Sequence, residues 1–165
     1  MADKYSFDVV SDFDRQELVN AVDQARREVD QRYDLKDSNT EIDLEENSIF
    51  ITSQSDMTLQ SVNDILRQKA TKRNLALKIF DFQTPEVSSG NRVKQNILLR
   101  KGLSQETAKK LSKLIRDQLK KINVAIQGES LRVTGKNKDE LQAAISLLRE
   151  KEKDIEVPLQ FENYR

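Results

Sequence analysis

The feature that most constrains this chain is an internal repeat. Apolar residues recur at a constant offset of 82 residues, as from Ile42 to Val124 and from Leu66 to Leu148. The same register is kept through segments with strand-like and helix-like patterns, which indicates duplication of one structural unit. A chain of 165 residues is long enough for two small domains.

Each copy is predicted to have the order βαββαβ. In the first copy the segment SFDVV alternates as a strand, and residues 41–51 alternate on both sides of a polar corner, as in a hairpin. A helix is predicted between these segments from the spacing of Leu18, Val22, Ala25 and Val29, with Asp14 as its N-terminal cap. A second helix begins near Asp56, and the segment LALKIFDF closes the copy as a strand.

The second copy repeats this order. We expect a strand over 92–100, a helix from about Ser104, a hairpin over 123–133, a helix from about Asn137 and a final strand near 156–161. The predicted domains are 12–83 and 102–165, joined by a Pro-, Ser- and Gly-containing linker at 84–91. In each domain, two helices are expected to cover one face of a four-stranded antiparallel sheet and to leave the other face open.

The residue types exclude several kinds of chemistry. The chain has no cysteine and no histidine, which removes thiolate nucleophiles, imidazole bases and the usual zinc ligands. We therefore expect a protein that is not an enzyme and has no cofactor. The alternative is a Mg²⁺-dependent phosphodiesterase that uses Glu41, Asp43 and Glu45.

The cellular location is predicted from hydropathy. No apolar run is long enough to span a bilayer, and the start MADKYSFDVV lacks the apolar core of a signal peptide. We expect a cytoplasmic protein without a membrane partner.

Charge is distributed unevenly along the chain. Residues 1–83 contain 11 Lys and Arg against 17 Asp and Glu, and residues 84–165 contain 17 against 11. An excess of cations in one half favours an anionic partner such as a phosphate.

Strand alternation assigns three sets of side chains to the open sheet faces. They are Phe50, Lys78, Phe80 and Phe82 in the first copy, Lys94, Asn96, Leu98 and Arg100 on the strand at 92–100, and Arg132, Thr134, Gln160 and Tyr164 in the second copy. Aromatic rings beside cations on an open sheet suit stacked bases and phosphates. The alternative interpretation is that Phe50, Phe80 and Phe82 pack the two copies together.

Two further sets of cations are candidates for phosphate contact. A row on the helix after Ser104 consists of Lys109, Lys113, Arg116 and Lys120, and a solvated helix face is the alternative. The segment VTGKNK lacks the spacing of a Walker motif, but it places Lys136 and Lys138 beside Asn137, where the positive end of a helix attracts anions. Simple solvent exposure of these two lysines is the alternative.

Several segments together resemble the YajQ family of bacterial nucleotide-binding proteins. These are SFDVVS at the start, AIQGESLRVTGKNKDELQAAISLL in the second copy and PLQFENYR at the end, so that the resemblance covers essentially the whole chain. It implies two ferredoxin-like subdomains with exchanged first strands. The strand at 5–10 would then join the second copy, and the strand at 92–100 the first.

The resemblance and the charge pattern together favour a nucleotide- or RNA-binding protein. The resemblance also implies cyclic di-GMP as an alternative ligand. An alternative of another class is an assembly factor that binds a protein partner, or associates with itself, through opposite charges.

Overall fold

The computed structural model describes residues 5–165, which form two compact units. One unit is Phe13–Arg100, and the other combines the chain up to Asp12 with Lys101–Arg165. We call them the 13–100 unit and the 101–165 unit. The described residues contain four α-helices and two antiparallel sheets, which confirms the predicted mixed α+β architecture.

The helices and strands follow one another in a repeated order. They are β1 Tyr5–Val10, α1 Arg15–Gln31, β2 Glu41–Leu44, β3 Ser48–Ser53, α2 Asp56–Lys72, β4 Phe80–Phe82, β5 Glu86–Val87, β6 Val93–Leu99, α3 Gln105–Gln118, β7 Asn123–Gln127, β8 Ser130–Gly135, α4 Lys138–Lys151 and β9 Gln160–Glu162.

The sheet of the 13–100 unit has the strand order β2-β3-β6-β4, and the short β5 also pairs with β6. Ile49 of β3 is opposite Ile97 of β6, and both side chains are fully buried. They belong to the same core as Leu18 of α1 and Leu66 of α2. Because side chains alternate along a strand, this core leaves every second residue of β3 and β6 on the face without helices.

The sheet of the 101–165 unit has the order β7-β8-β1-β9, with β1 antiparallel to both of its neighbours. Phe7 of β1 is opposite Val133 of β8, and both are fully buried in a core that also contains Leu111 of α3 and Leu148 of α4. The first strand of the chain is therefore an inner strand of the sheet built from the C-terminal residues.

Short polar residues begin all four helices. The side chains of Asp14, Ser55, Ser104 and Asn137 accept hydrogen bonds from backbone N–H groups of the first helical turn. These bonds satisfy donors that have no partner inside a helix. The predicted cap at Asp14 is confirmed, and Asn137 caps α4 at the predicted start of that helix. The hairpin predicted over 123–133 turns at Gly128, whose φ is 58°, where glycine avoids the strain of a side chain.

The predicted strand LALKIFDF is wrong in its first part. Leu77–Ile79 form a 3-10 turn, and only Phe80–Phe82 pair as a strand. Side chains alternate between the two faces only along a continuous strand, and the 3-10 turn interrupts this alternation. Counting alternate residues from Leu75 therefore assigns Phe80 to the wrong face of the sheet.

As a result, the prediction that Phe80 and Phe82 face the open side of the sheet is wrong. Phe80 is opposite Leu99, and Phe82 is opposite the buried Ile97. Phe80 is only 4% exposed and belongs to the core, and Phe82 packs against that core. The guanidinium of Arg67, on α2, lies 4.3 Å from the centre of the Phe82 ring.

Two further boundaries differ from the sequence prediction. Helix α3 ends at Gln118, so Lys120 lies in the turn before β7 and not on the helix. The last strand has only the three residues Gln160–Glu162. Over residues 5–165, no helix is long and apolar enough to cross a membrane.

Candidate nucleotide-binding face

The open face of the 13–100 sheet brings together residues that are far apart in the sequence. Phe50 of β3 is directly opposite Asn96 of β6, and Thr52 is opposite Lys94. Cross-strand partners project from the same face of a sheet. Phe50, Asn96 and Lys94, all predicted as candidate binding residues, therefore share one surface.

A cleft of about 460 Å³ lies over this surface. Its lining residues are Phe50, Ile51, Thr52, Gln83, Thr84, Glu86, Lys94, Gln95 and Asn96. The segment after β4 forms one side, because the Gln83 N–H donates to the Asn96 carbonyl oxygen at 3.0 Å. The Gln95 amide donates to the Gln83 carbonyl oxygen at 2.9 Å, which holds the same segment from a second point.

The cleft offers three different chemical groups. Phe50 is 45% exposed, on the sheet face that no helix covers, so its ring is available for stacking. The Asn96 Oδ1 atom is shielded from solvent and accepts no hydrogen bond from the residues that the structure describes. The exposed Lys94 supplies a cation. A ring, a hydrogen-bond acceptor and a cation are the groups that bind the base and the phosphate of a nucleotide.

Carboxylates border this surface without forming a metal site. Asp43 of β2 is opposite Phe50, and Glu86 lies 4.0 Å from the Lys94 Nζ atom. Both partners of the Lys94–Glu86 pair are more than half exposed, so this ion pair is weak. Across residues 5–165, no group of three or more Asp and Glu side chains is arranged to hold a metal ion.

Arg100, also predicted for the open face, has its charge balanced within the same unit. Its guanidinium lies 3.3 Å from the Asp81 carboxylate and donates to the Lys78 carbonyl oxygen at 3.0 Å. Arg100 therefore holds the end of β4 against β6.

On the open face of the 101–165 sheet, the predicted binding residues have partners within the same unit. Arg132 donates to the Asp8 carboxylate at 2.9 Å, and the Asn163 amide donates to the same carboxylate at 2.8 Å. The Arg132 hydrogen bond holds the pKa of Asp8 below its usual value, and the bound carboxylate raises the pKa of Arg132. The charge of Arg132 is thus balanced by Asp8 of the neighbouring strand.

The other residues predicted for this face also have local partners: the Tyr164 ring stacks on the buried Phe7 ring, with 6.0 Å between their centres. Thr134 lies opposite Ser6 on β1, and its hydroxyl donates to the Asn123 carbonyl oxygen at 3.5 Å. The Gln160 side chain accepts from the Asp12 N–H at 2.7 Å. This face carries no exposed aromatic ring on β1, β7, β8 or β9.

The predicted cations near the helices are exposed. Lys109, Lys113 and Arg116 lie on the outer side of α3, and Lys120 follows the helix. At the start of α4 the Lys136 N–H donates to the Glu140 carboxylate at 3.0 Å, so a side chain of the helix itself already occupies this anion position. The Lys138 ammonium lies 5.8 Å from the centre of the Tyr5 ring.

The sequence matches a known protein family. Residues 5–165 match the family model described as nucleotide-binding protein YajQ-like. The chain belongs to the YajQ-like family. The resemblance found in the sequence is confirmed over nearly its full length.

Several similar proteins match this YajQ-like chain from end to end. Proteins of Synechococcus sp. (strain CC9605) and of Parasynechococcus marenigrum (strain WH8102) are each 73% identical over 165 residues, which is all of both chains. A protein of Prochlorococcus marinus (strain MIT 9211) is 68% identical over the same full length. All three are named nucleotide-binding proteins, and none of these names describes an enzyme.

Sequence reasoning missed six residues that line the cleft of this family member: Ile51, Thr52, Gln83, Thr84, Glu86 and Gln95. Thr52 lies two residues after Phe50 on β3, so its side chain projects from the same face, and strand alternation alone was sufficient to find it. Gln83, Thr84 and Glu86 lie at the end of a predicted strand and in the predicted linker. Their position depends on hydrogen bonds to β6, which no local pattern reveals.

Proposed function

We propose that this protein binds a nucleotide or RNA without catalysing a reaction, and that the cleft of the 13–100 unit holds the ligand. The base lies on the Phe50 ring, the Asn96 side chain accepts a hydrogen bond from it, and Lys94 contacts the phosphate. The observation that carries the proposal is the pairing of an exposed aromatic ring with an unsatisfied amide oxygen inside one cleft.

The size and chemistry of the cleft support this proposal. A volume of about 460 Å³ lies within the range of small-molecule sites. Stacking on an exposed ring is worth about 1–3 kcal/mol per base. A hydrogen-bond acceptor that is shielded from water and has no partner destabilises the free protein, and a donor on the ligand would relieve that cost.

The absence of catalysis is proposed from the residue types around the cleft. Its polar lining consists of amides, hydroxyls, one carboxylate and one ammonium group. No cysteine or histidine exists in the chain to act as a nucleophile or a base at neutral pH. The names of the similar proteins are consistent with a binding role.

We also propose that the two units are the functional domains and that they have exchanged their first strands. The pairing of β1 with β8 and β9, and of β6 with β3 and β4, supports this proposal. The pairing matters for function because Asn96 and Lys94 belong to β6, whereas Phe50 belongs to β3. Without β6 in this sheet, the cleft would lose its cation and its amide.

The proposal is tested by calorimetric titration of the purified protein with the four 5′-nucleoside monophosphates and with cyclic di-GMP. We expect saturable binding of at least one of them. Replacement of Phe50 by Ala should weaken that binding by roughly 5- to 100-fold, which corresponds to loss of one stacked base.

The matched control is Tyr33→Ala, since Tyr33 is an aromatic residue that is 90% exposed and does not line the cleft. It should bind like the unaltered protein. Absence of binding to all five ligands, or equal affinity of the Phe50→Ala variant, would overturn the cleft as the binding site. Tighter binding of cyclic di-GMP than of every monophosphate would identify a cyclic dinucleotide as the ligand class.

A further inference from the structure

We propose that the outer side of α3 binds the phosphate backbone of a single-stranded polynucleotide. We call this surface the basic stripe and define it as Lys109, Lys113 and Arg116 on α3 with Lys120 in the turn that follows. The basic stripe shares no residue with the cleft at Phe50. The inference can therefore hold or fail independently of the cleft as a ligand site.

The placement of the basic stripe follows from the packing of α3. Ala108, Leu111 and Ile115 are fully buried against the sheet of the 101–165 unit. Residues between these positions turn toward solvent because a helix advances by 3.6 residues per turn. Lys109, Lys113 and Arg116 are accordingly exposed along one side of the helix, over about 10 Å from the first to the last at 1.5 Å per residue.

The cations of the basic stripe are not used in ion pairs. Among the residues that the structure describes, no carboxylate forms a salt bridge with any of the four. Their only side-chain hydrogen bond within the described residues is a long one of 3.4 Å, which the Arg116 guanidinium donates to the Val124 carbonyl oxygen. Four arginines of the 13–100 unit, Arg26, Arg32, Arg67 and Arg73, each form a salt bridge with a nearby carboxylate.

This arrangement has a cost for the isolated protein. Lys109 and Lys113 are four residues apart on one helix, and Lys113 and Arg116 are three apart, so like charges are neighbours on the helix surface. Such pairs destabilise a helix. Two exposed acids, Glu106 and Asp117, lie beside the row on the same helix without a salt bridge to it, and the row keeps an excess of cations. Such an excess favours a polyanion as partner.

The composition of this surface favours a nucleic acid over a protein or a membrane. Protein interfaces are enriched in aromatic residues and depleted in lysine at their centre. Helices that bind membranes place large apolar side chains beside their cations. Within the described residues, none of the exposed large apolar side chains lies on α3, and three of the four stripe residues are lysines.

The number of aligned cations favours a polynucleotide over a mononucleotide. A single phosphate can satisfy one or two of them, whereas successive phosphates of one strand can meet several. If each of the four neutralises one phosphate, the logarithm of the association constant should fall with the logarithm of salt concentration with a slope of about −2.8 for single strands.

The test is fluorescence anisotropy of a short, labelled single-stranded RNA of mixed sequence, titrated with the full chain at several salt concentrations. Between about 50 and about 200 mM salt, the slope predicts a loss of affinity of roughly 50-fold through the basic stripe. In the triple variant Lys109→Gln, Lys113→Gln and Lys120→Gln, the same change in salt should cost only roughly threefold.

The control is the triple variant Lys36→Gln, Lys72→Gln and Lys153→Gln. These three lysines are exposed, lie outside the basic stripe and change the net charge by the same amount. The control should keep the steep salt dependence. Circular dichroism should show unchanged helix content for both triple variants, because glutamine and lysine have similar helix propensities.

Three outcomes would overturn the inference. One is equal RNA affinity and equal salt dependence in the stripe variant and the unaltered protein. The others are tighter stripe-dependent binding of polyglutamate, or of phosphatidylserine vesicles, than of RNA. Binding of a nucleoside monophosphate serves as the separate readout of the cleft. If no monophosphate binds but the salt effect on RNA binding is intact, the cleft is not a binding site and this inference still stands.

Discussion

Phe50 on β3 and Asn96 on β6 are directly opposite each other in an antiparallel pair, and both side chains project from the sheet face that no helix covers. The ring is half exposed, and the amide oxygen beside it has no partner among residues 5–165. Folding therefore brings a hydrogen-bond acceptor and an aromatic ring side by side from two segments that are distant in sequence. This relationship is the physical basis of the proposed binding site.

The two faces of the 13–100 sheet predict opposite effects of two similar substitutions. Phe80→Ala should lower the free energy of unfolding by about 3–5 kcal/mol, because the ring is buried in the core and its loss leaves a cavity. Phe50→Ala should lower it by less than about 1 kcal/mol, since the ring is already half in water. Urea denaturation followed by circular dichroism measures both values. Equal destabilisation by the two substitutions would contradict the assignment of the faces.

Lys94 is expected to act as a phosphate contact. Lys94→Gln should weaken nucleotide binding by roughly three- to tenfold at low salt, about the worth of one partly exposed charge interaction. It should also flatten the salt dependence of binding by about one phosphate contact. Lys72→Gln, at the exposed end of α2, is the matched control and should change neither quantity. Calorimetric titration at two salt concentrations provides the measurement, and an unchanged salt dependence in Lys94→Gln would exclude the contact.

The ion pair between Asp8 and Arg132 predicts a pH-dependent stability. The pKa of Asp8 is lowered in the folded protein from its ordinary 3.8, mainly by the hydrogen bond from Arg132. A carboxyl whose pKa is depressed by folding stabilises the fold above its unfolded pKa, and this contribution is lost as the pH falls through the folded pKa. Asp8→Asn should therefore cost about 1–3 kcal/mol at neutral pH, where it leaves Arg132 without its charged partner.

The pH profile separates this effect from a general loss of packing. The difference in unfolding free energy between the unaltered protein and Asp8→Asn should shrink as the pH falls below about 4. Asp37→Asn, at an exposed position, should change stability by less than about 0.5 kcal/mol at every pH. A difference for Asp8→Asn that stays constant from neutral to acidic pH would contradict the role given to the ion pair.

Much of the fold could be predicted from the sequence because its periodicities are strong. Leu18, Val22, Ala25 and Val29 are all buried on one side of α1, as their helical spacing indicates. The alternation of Ile49 and Ile51 likewise identified the buried side of β3. Side-chain spacing is set by local backbone geometry, so it can be read without knowledge of tertiary contacts.

The errors arose where tertiary contacts decide the local structure. The alternation in LALKIFDF does not indicate the 3-10 turn at Leu77–Ile79. Because of that turn, Phe80 lies in the core and not on the open face, where it was predicted. Arg132 was predicted as a free cation because Asp8, its partner, is 124 residues away in the sequence. Pairing between distant strands determines which charges are neutralised, and no local pattern reports it.

The candidate site was only partly predictable for the same reason. Strand parity found Phe50, Lys94 and Asn96, but the juxtaposition of β3 and β6 came from the family resemblance and not from the pattern of residues. The segment at Gln83 and Thr84 was assigned to a strand end and a linker, whereas its hydrogen bonds to β6 make it one side of the cleft.

The most direct test of the central claim is a nuclear magnetic resonance titration of the ¹⁵N-labelled protein with each of the four 5′-nucleoside monophosphates. The account predicts that the ligand with the highest affinity moves the amide resonances of Ser48–Ser53 and Val93–Leu99 most, together with those of Gln83 and Thr84. At a ligand concentration that half-saturates the unaltered protein, Phe50→Ala should reduce these shifts strongly. Shifts confined to other segments, or none at ligand concentrations that saturate calorimetric binding, would contradict it.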